Sequence, residues 1–401
     1  MKQLNILLVT PYYMPLNYGG ATVVYKTLIE LSRHNISVLT NRLPEKFSEC
    51  LEFDKSVSYT VYRSQAMVYS MRQGENIPVS IFKFGLHIIR QIINLIKAML
   101  VAKPDVLLCG NVADIGWLIA ISTYLCRKKI ISYVHAEEVT TKAGTGLWAS
   151  FLRYGCKKVL HKSEKIIVVS RFTKDILKER GFDAEKIEII TNGVDINKYF
   201  RVSKSQNLIR KYNLDGKKVI LTVARLVPKK GIDVVIKSLP EIVARCPELI
   251  YLVVGSGVDR PRLERLAVEN NVADNVIFAG FISDDEINNI INLADIFVMP
   301  NRAIDGDTEG FGLVFLEASA CGVPVVGGVD GGTADAILDG ITGFRIDGTD
   351  TTAITQRMIQ LLNDENLRKQ MGVDGYRWVH EQHRWDAKIK AFDEVIEESI
   401  S

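Results

Sequence analysis

The 401 residues include 47% hydrophobic and 24% charged side chains, with 29 glycines and 11 prolines. This composition fits a globular chain of two or three domains and excludes a disordered chain or a collagen-like fibre. The net charge of +3 hides a split: residues 1–200 hold 27 Lys and Arg against 17 Asp and Glu, +10, whereas residues 201–401 hold 23 against 30, −7. A basic half implies an anionic partner.

The elements alternate along the chain. Leu4–Thr10 reads as a buried strand, Ala21–Arg33 as a helix with Val24, Leu28 and Leu31 on one face, and Ile36–Thr40 as a second strand. Val106–Cys109, Ile130–Val134 and Lys165–Val169 continue the pattern. The second half repeats it with strands Val219–Val223, Leu249–Val254, Val276–Ala279, Ile296–Met299 and Val323–Val326. Helices are predicted over Asp233–Cys246, from Asp259 as N-cap with Pro261 in the first turn, and after a capping box Ser283-Asp284-Asp285-Glu286. Near-continuous apolar strands separated by helices mean parallel sheets covered on both faces. The fold class is α/β, with two doubly wound sheets. The boundary is expected in the polar stretch 200–207, giving domains 1–200 and 201–382.

The cysteines Cys50, Cys109, Cys126, Cys156, Cys246 and Cys321 form no C-x-x-C pair, and most sit in apolar surroundings. They read as free core thiols of a reducing compartment, not as zinc ligands. Leu4–Val9 is too short for a signal-peptide core and runs into Pro11, and the best spanning window, Val106–Leu125, contains Asn111 and Asp114. The expected location is the cytoplasm.

Two segments carry chemistry. The first is Asp305-Gly306-Asp307-Thr308-Glu309-Gly310-Phe311-Gly312-Leu313, leading through an apolar helix to Glu317. A helix N-terminus preceded by glycines presents open N–H groups to a phosphate. Eight residues of helix span about 12 Å, which suits one carboxylate on a ribose, the other on a sugar, and a diphosphate between. The second is Arg225-Leu226-Val227-Pro228-Lys229-Lys230-Gly231, where Arg225 and Lys230 follow a strand end. Fixed cations there can neutralise a departing diphosphate.

With Gly19-Gly20, His135, Asn192-Gly193-Val194-Asp195, Gly255-Ser256-Gly257, Ala294–Pro300, Gly322–Val326 and Gly331-Gly332, these motifs stand in one order along nearly the whole chain. The chain resembles the family 4 retaining glycosyltransferases of GT-B architecture. In motif style it is similar to the bacterial mannosyltransferases that build phosphatidylinositol mannosides.

The resemblance implies two Rossmann-like domains facing a central cleft, the first holding the acceptor and completed by a C-terminal helix over 383–401. It implies a metal-independent, retaining transfer of a hexosyl unit from a UDP- or GDP-sugar to a glycan or lipid-linked acceptor, with no cofactor. Glu309 would hold the donor sugar, Arg225 and Lys230 the diphosphate, Glu317 the ribose, and His135 the sugar near its C6 hydroxyl. Gly19, Gly20, Gly255, Gly310, Phe311, Gly312 and Leu313 would approach the donor through their backbones. A GT-B-like sugar-nucleotide epimerase or hydrolase with no separate acceptor is the alternative. Asp305-Gly306-Asp307 has the form of a metal-binding Asp-x-Asp, and is read here as a polar loop because Arg225 and Lys230 already supply positive charge. A Rossmann oxidoreductase fits poorly, because Gly255-Ser256-Gly257 lacks the third glycine of G-x-G-x-x-G. Finally, Val79–Lys103 is a basic amphipathic helix with Lys83, Arg90 and Lys97 at intervals of seven. It suits either peripheral contact with an anionic membrane or a core position with one wet edge.

Overall fold

The computed structural model describes residues 3–15, 20–42, 44–65, 67–68, 77–141 and 146–400. It divides into two compact units: unit 1 comprises residues 1–169, 173–190 and 388–401, and unit 2 comprises 170–172 and 191–387. The division falls before the polar stretch at 200–207.

Unit 1 is a seven-stranded sheet of β1 (Asn5–Val9), β2 (Asn35–Arg42), β3 (Val61–Gln65), β4 (Val106–Cys109), β5 (Lys129–Val134), β6 (Lys165–Val168) and β7 (Ile187–Ile189). Its order is β3-β2-β1-β4-β5-β6-β7, and every neighbouring pair is parallel. The connecting helices are α1 (Gly20–Leu31), α2 (Phe47–Ser56), α3 (Ile77–Ala102), α4 (Val112–Cys126), α5 (Glu137–Thr140), α6 (Leu147–Lys162) and α7 (Arg171–Glu179). The apolar runs form strands because both sheet faces are covered: Leu7, Val9, Leu107, Ile130 and Ile166 are all buried in one core with Leu95 and Met99 of α3.

Unit 2 holds β8 (Lys218–Val223), β9 (Leu249–Val254), β10 (Val276–Gly280), β11 (Ile296–Met299), β12 (Val325–Gly328) and β13 (Gly343–Ile346), in the parallel order β10-β9-β8-β11-β12-β13. Its helices are α8 (Gln206–Lys211), α9 (Ile232–Arg245), α10 (Arg260–Glu269), α11 (Ile287–Ile291), α12 (Leu313–Ala320), α13 (Thr351–Asn363) and α14 (Glu365–Gln382). The last helix, α15 (Trp385–Glu398), ends within unit 1, where Asp393 accepts from Ser32 Oγ at 2.6 Å and Glu397 pairs with Arg33 at 2.6 Å.

Three local expectations differ from the structure. Strand β12 starts at Val325, not Val323, because Pro324 has no N–H and contributes only its carbonyl, to Phe297 N. The Ser283–Glu286 capping box is not formed. The Ser283 carbonyl accepts from Glu286 and Ile287, Asp284 pairs with Lys198 at 3.1 Å, and α11 begins at Ile287. Asp259 takes the N-cap position of α10, but its side chain makes no capping bond, because its carboxylate is engaged by Arg262 at 2.6 and 2.7 Å.

Helix α3 is buried along one face and exposed along the other. Leu95, Ala98 and Met99 face the core, and Ser64 bonds Gln91 and Asn94 at 2.9 and 2.7 Å. Its opposite side exposes Phe82, Leu86, Ile89, Ile93 and Leu100 beside Lys83, Arg90 and Lys97.

Candidate active site

In a doubly wound sheet, ligands bind beyond the carboxyl ends of the strands where the strand order reverses. In unit 2 that point lies between β8 and β11. Arg225 and Lys230 follow β8, and the loop to Glu309 follows β11.

Two struts bind these loops together. Lys229, 7% exposed, pairs with Asp307 at 2.6 Å, and Arg302 donates its backbone N–H to the Lys229 carbonyl at 2.9 Å. Beside them Lys230 forms a close ion pair with Glu309. Burial acts to raise the Glu309 carboxyl, but Lys230, Lys229 and Arg225 outweigh it and hold it below the usual range. Arg225 is exposed.

The Asp305-Gly306-Asp307 segment is a two-residue reverse turn. Asp305 and Gly306 both have positive φ, +52° and +85°, and Ile304 and Asp307 exchange backbone bonds of 2.9 and 2.8 Å. Asp307 is committed to Lys229, and no group of metal-holding side chains occurs among the described residues.

The glycines place the carboxylate. Gly331, at φ +82°, bends so that a Cβ would collide with the Glu309 carbonyl oxygen, and Gly332 donates its N–H to that oxygen at 2.8 Å. Asn301 fixes the preceding turn, accepting from Gly328 N at 3.1 Å and donating to Asp330 O at 2.9 Å. Gly310, Phe311 and Gly312 then lead into α12, whose N-cap Gly312 adopts φ +91° and offers no capping side chain. The α12 amides from Leu313 onward thus head the helix toward this loop. Phe311 is buried, its ring 6.0 Å from His383.

Gly255 also has a packing role. A Cβ on Gly255 would strike the Ala224 carbonyl, and one on Gly257 the Leu226 carbonyl. Leu226 N donates to Ser256 O at 2.9 Å. These glycines fit the β9 loop against the Arg225 loop and so set the position of Arg225.

Glu317 lies on α12. Burial pushes its carboxyl up to about 7, opposed by a hydrogen bond from Tyr199 and the charge of Lys198. Sequence reasoning missed Tyr199, Asp307 as a strut, and Asn301. Tyr199 and Asn301 stand in no short motif, and Asp307 was absorbed into the Asp-x-Asp reading.

In unit 1, His135 directly follows β5. Its Nε2 lies 2.9 Å from the Tyr25 hydroxyl, and its ring stacks on Tyr133 with centroids 5.0 Å apart. Tyr25 donates its proton to the Gly110 carbonyl, so it accepts from His135 Nε2–H. Burial lowers the imidazole to about 3, so it is neutral, with Nδ1 as the acceptor nitrogen. Gly20 opens α1; Gly19 lies outside the described residues.

Residues 204–378 match the profile of "Glycosyl transferases group 1", and residues 18–198 that of "Glycosyltransferase Family 4". The chain is 33% identical over 292 residues to the GDP-mannose-dependent alpha-(1-6)-phosphatidylinositol monomannoside mannosyltransferase of Mycolicibacterium smegmatis, covering 72% of this chain and 75% of that one. It is 26% identical over 283 residues to the N-acetyl-alpha-D-glucosaminyl L-malate synthase of Bacillus anthracis, covering 69% and 71%. The crystal structure of Anabaena HepE in complex with UDP and glucose superposes with a TM-score of 0.79 at 18% identity, covering 98% of this chain and all of that one. The fold is GT-B, and the chain belongs to the family 4, group 1 glycosyltransferases.

Proposed function

We propose that the protein moves a hexosyl unit, with retention and without a metal, from a nucleoside diphosphate sugar to a lipid-linked or glycan acceptor. The observation that carries this reading is the set of Lys230, Glu309 and Arg225 on two braced loops at the switch point of unit 2. Arg225 and Lys230 would meet the negative charge that grows on the diphosphate as the sugar C1–O bond breaks. Glu309, held ionised, would accept from sugar hydroxyls, and the acceptor oxygen would enter on the face the diphosphate leaves. Glu317 would take the ribose hydroxyls, Leu313 and its neighbours the phosphate, and His135 Nδ1 a donor-sugar hydroxyl. GDP-mannose is the first donor to try, because relatives at 33% and 30% identity are named for it.

The test is a thermal-shift panel of GDP, UDP, GDP-mannose, UDP-glucose and UDP-N-acetylglucosamine. A ligand at 100 times its Kd adds about 2.7 kcal/mol of stability. Stabilisation by none of them would sink the reading. Equal release of nucleotide with and without acceptor lipids would make the protein a hydrolase.

We propose also that α3 rests on an anionic lipid surface. Phe82–Ala102 is 21 residues long with a mean hydropathy of 1.4, but its buried face and its bonds to Ser64 hold it along unit 1 rather than across a bilayer. Helices α3 and α6 contain no Asp or Glu, and Phe84 of α3 packs edge-on against Trp148 of α6 at 4.5 Å. A second copy would set cation against cation, whereas anionic headgroups complement both helices. Each cation near such a surface adds about 1 kcal/mol, weakened by salt. Charge reversal at Lys83, Arg90 and Lys97 should abolish co-sedimentation with phosphatidylglycerol-rich vesicles and leave nucleotide binding intact. No co-sedimentation of the wild type at low salt would refute the contact.

A further inference from the structure

Two features in the turn after β5 oppose stability, and both bear on His135. Ala136 is fully buried with φ +79° and ψ −51°, the strained γ-turn region that a residue with a Cβ rarely occupies. Two residues on, Glu138 turns back. Its Oε2 accepts the His135 backbone N–H at 2.9 Å, and the carboxyl also takes its own N–H. The side chain is half-buried, desolvation pushes its carboxyl up, and Glu137 and Asp114 do not neutralise it but raise it further. A partly desolvated carboxyl beside other acids is destabilising unless something requires it there. The Ala136 carbonyl, turned by the same strain, accepts from Val139 and Thr140 at 2.8 and 2.9 Å, so the turn is locked from both ends.

We infer that Glu138 is a positioning residue. It clasps the His135 amide, holds the Ala136 turn closed, and so fixes the imidazole against Tyr25 and Tyr133 with Nδ1 outward. This rests on the assignment of His135 to the donor sugar made above. Burial pushes Glu138 up to about 8, so at neutral pH it is largely protonated, and Gln is its closest mimic.

The experiment measures GDP-mannose turnover, read as GDP release, together with the ring 15N signals of His135, assigned by their loss in His135→Ala. Glu138→Gln should keep both near the wild type. Glu138→Ala should lower kcat by about 10²-fold, the scale for a group misplaced by about 1 Å, with KM little changed, and should replace the single Nε2–H tautomer by an exchanging pair. In a His135→Ala background, Glu138→Ala should change turnover by less than about twofold, because the two act as one unit. If Glu138→Ala does not fold, Glu138→Asp, one methylene short of the amide, replaces it in the same cycle. Additive losses, or an unchanged His135 tautomer in Glu138→Ala, would overturn the inference. If His135→Ala alone leaves turnover intact, the donor-sugar role of His135 fails, and the 15N signals still decide whether Glu138 holds the ring.

Discussion

Replacing Lys230 by Met removes the largest cationic contribution to Glu309 while keeping the aliphatic stem. The two side chains are only 13% and 17% exposed, so the carboxylate left behind is poorly hydrated. Breaking a buried pair on one side costs about 3–5 kcal/mol. Here Lys229 and Arg225 still act on Glu309, so we place the loss at about 2–3 kcal/mol, below that range. In a unit of this size that lowers Tm by about 5–10 °C. The pH dependence should change as well. In the wild type Glu309 is depressed, so its contribution to stability is present above the unfolded carboxylate range, about pH 4.3, and is lost as pH falls through the lower folded value. Without Lys230, burial dominates and the carboxyl rises, so this unit should lose stability as pH climbs from 4 toward neutrality. Adding Glu309→Gln removes the uncompensated charge and should restore much of the Tm. Calorimetry at pH 4, 5.5 and 7 on the two single variants and the double variant decides the matter. A Lys230→Met protein with wild-type Tm and wild-type turnover would show that the pair neither shapes the loop nor stabilises the leaving diphosphate, whose loss should otherwise slow turnover about 10²–10³-fold.

Glu317, raised to about 7, favours its neutral form in the fold, so its contribution to stability is greatest below the unfolded carboxylate range and fades as pH rises through 7. Binding a ribose favours the ionised form, so GDP or UDP should bind more tightly at pH 8 than at pH 6 by calorimetry, and Glu317→Gln should flatten that dependence. Gly331→Ala places a Cβ against the Glu309 carbonyl at φ +82°. A strained backbone costs about 1–3 kcal/mol, and turnover should fall at least tenfold with the fold retained by circular dichroism; normal turnover would show that the Gly331 contact does not place Glu309. EDTA should leave transfer intact, and Asp307→Asn should lower Tm through unpaired Lys229 without creating a metal requirement. Activity lost to EDTA and restored by Mn²⁺ would reverse the reading of Asp305 and Asp307.

The strands were legible because a parallel strand covered on both faces must be apolar throughout, and runs such as Leu249–Val254 are buried at every position. Arg225, Lys230 and Glu309 stood out because they lie in the loops that follow β8 and β11, on either side of the point where the strand order reverses. The packing role of Gly255 was not legible, for a physical reason. A glycine required for backbone-to-backbone packing against Ala224 looks, in sequence, the same as one cleared for a ligand. The Ser283 box failed because a hydroxyl and a Glu three residues on describe a possible cap, whereas the Ser283 carbonyl and the Lys198–Asp284 pair decide the turn. Tyr199 and Glu138 act through partners far along the chain or through one backbone amide, and neither leaves a periodic signal.

The two carboxylates of the Glu309…Glu317 segment are eight positions apart, and the fold drives them in opposite directions: Glu309 down among three cations, Glu317 up in a buried position eased by Tyr199. Two titratable groups separated in this way are suited to different tasks. A Glu309 carboxyl held below the usual range favours its ion pair with Lys230. On the function proposed above, a donor diphosphate would compete with Glu309 for Lys230, and as the cation turned to the phosphate the carboxylate would be freed to accept hydroxyls of the sugar. Because each side chain is the other's partner, replacing either would disturb both.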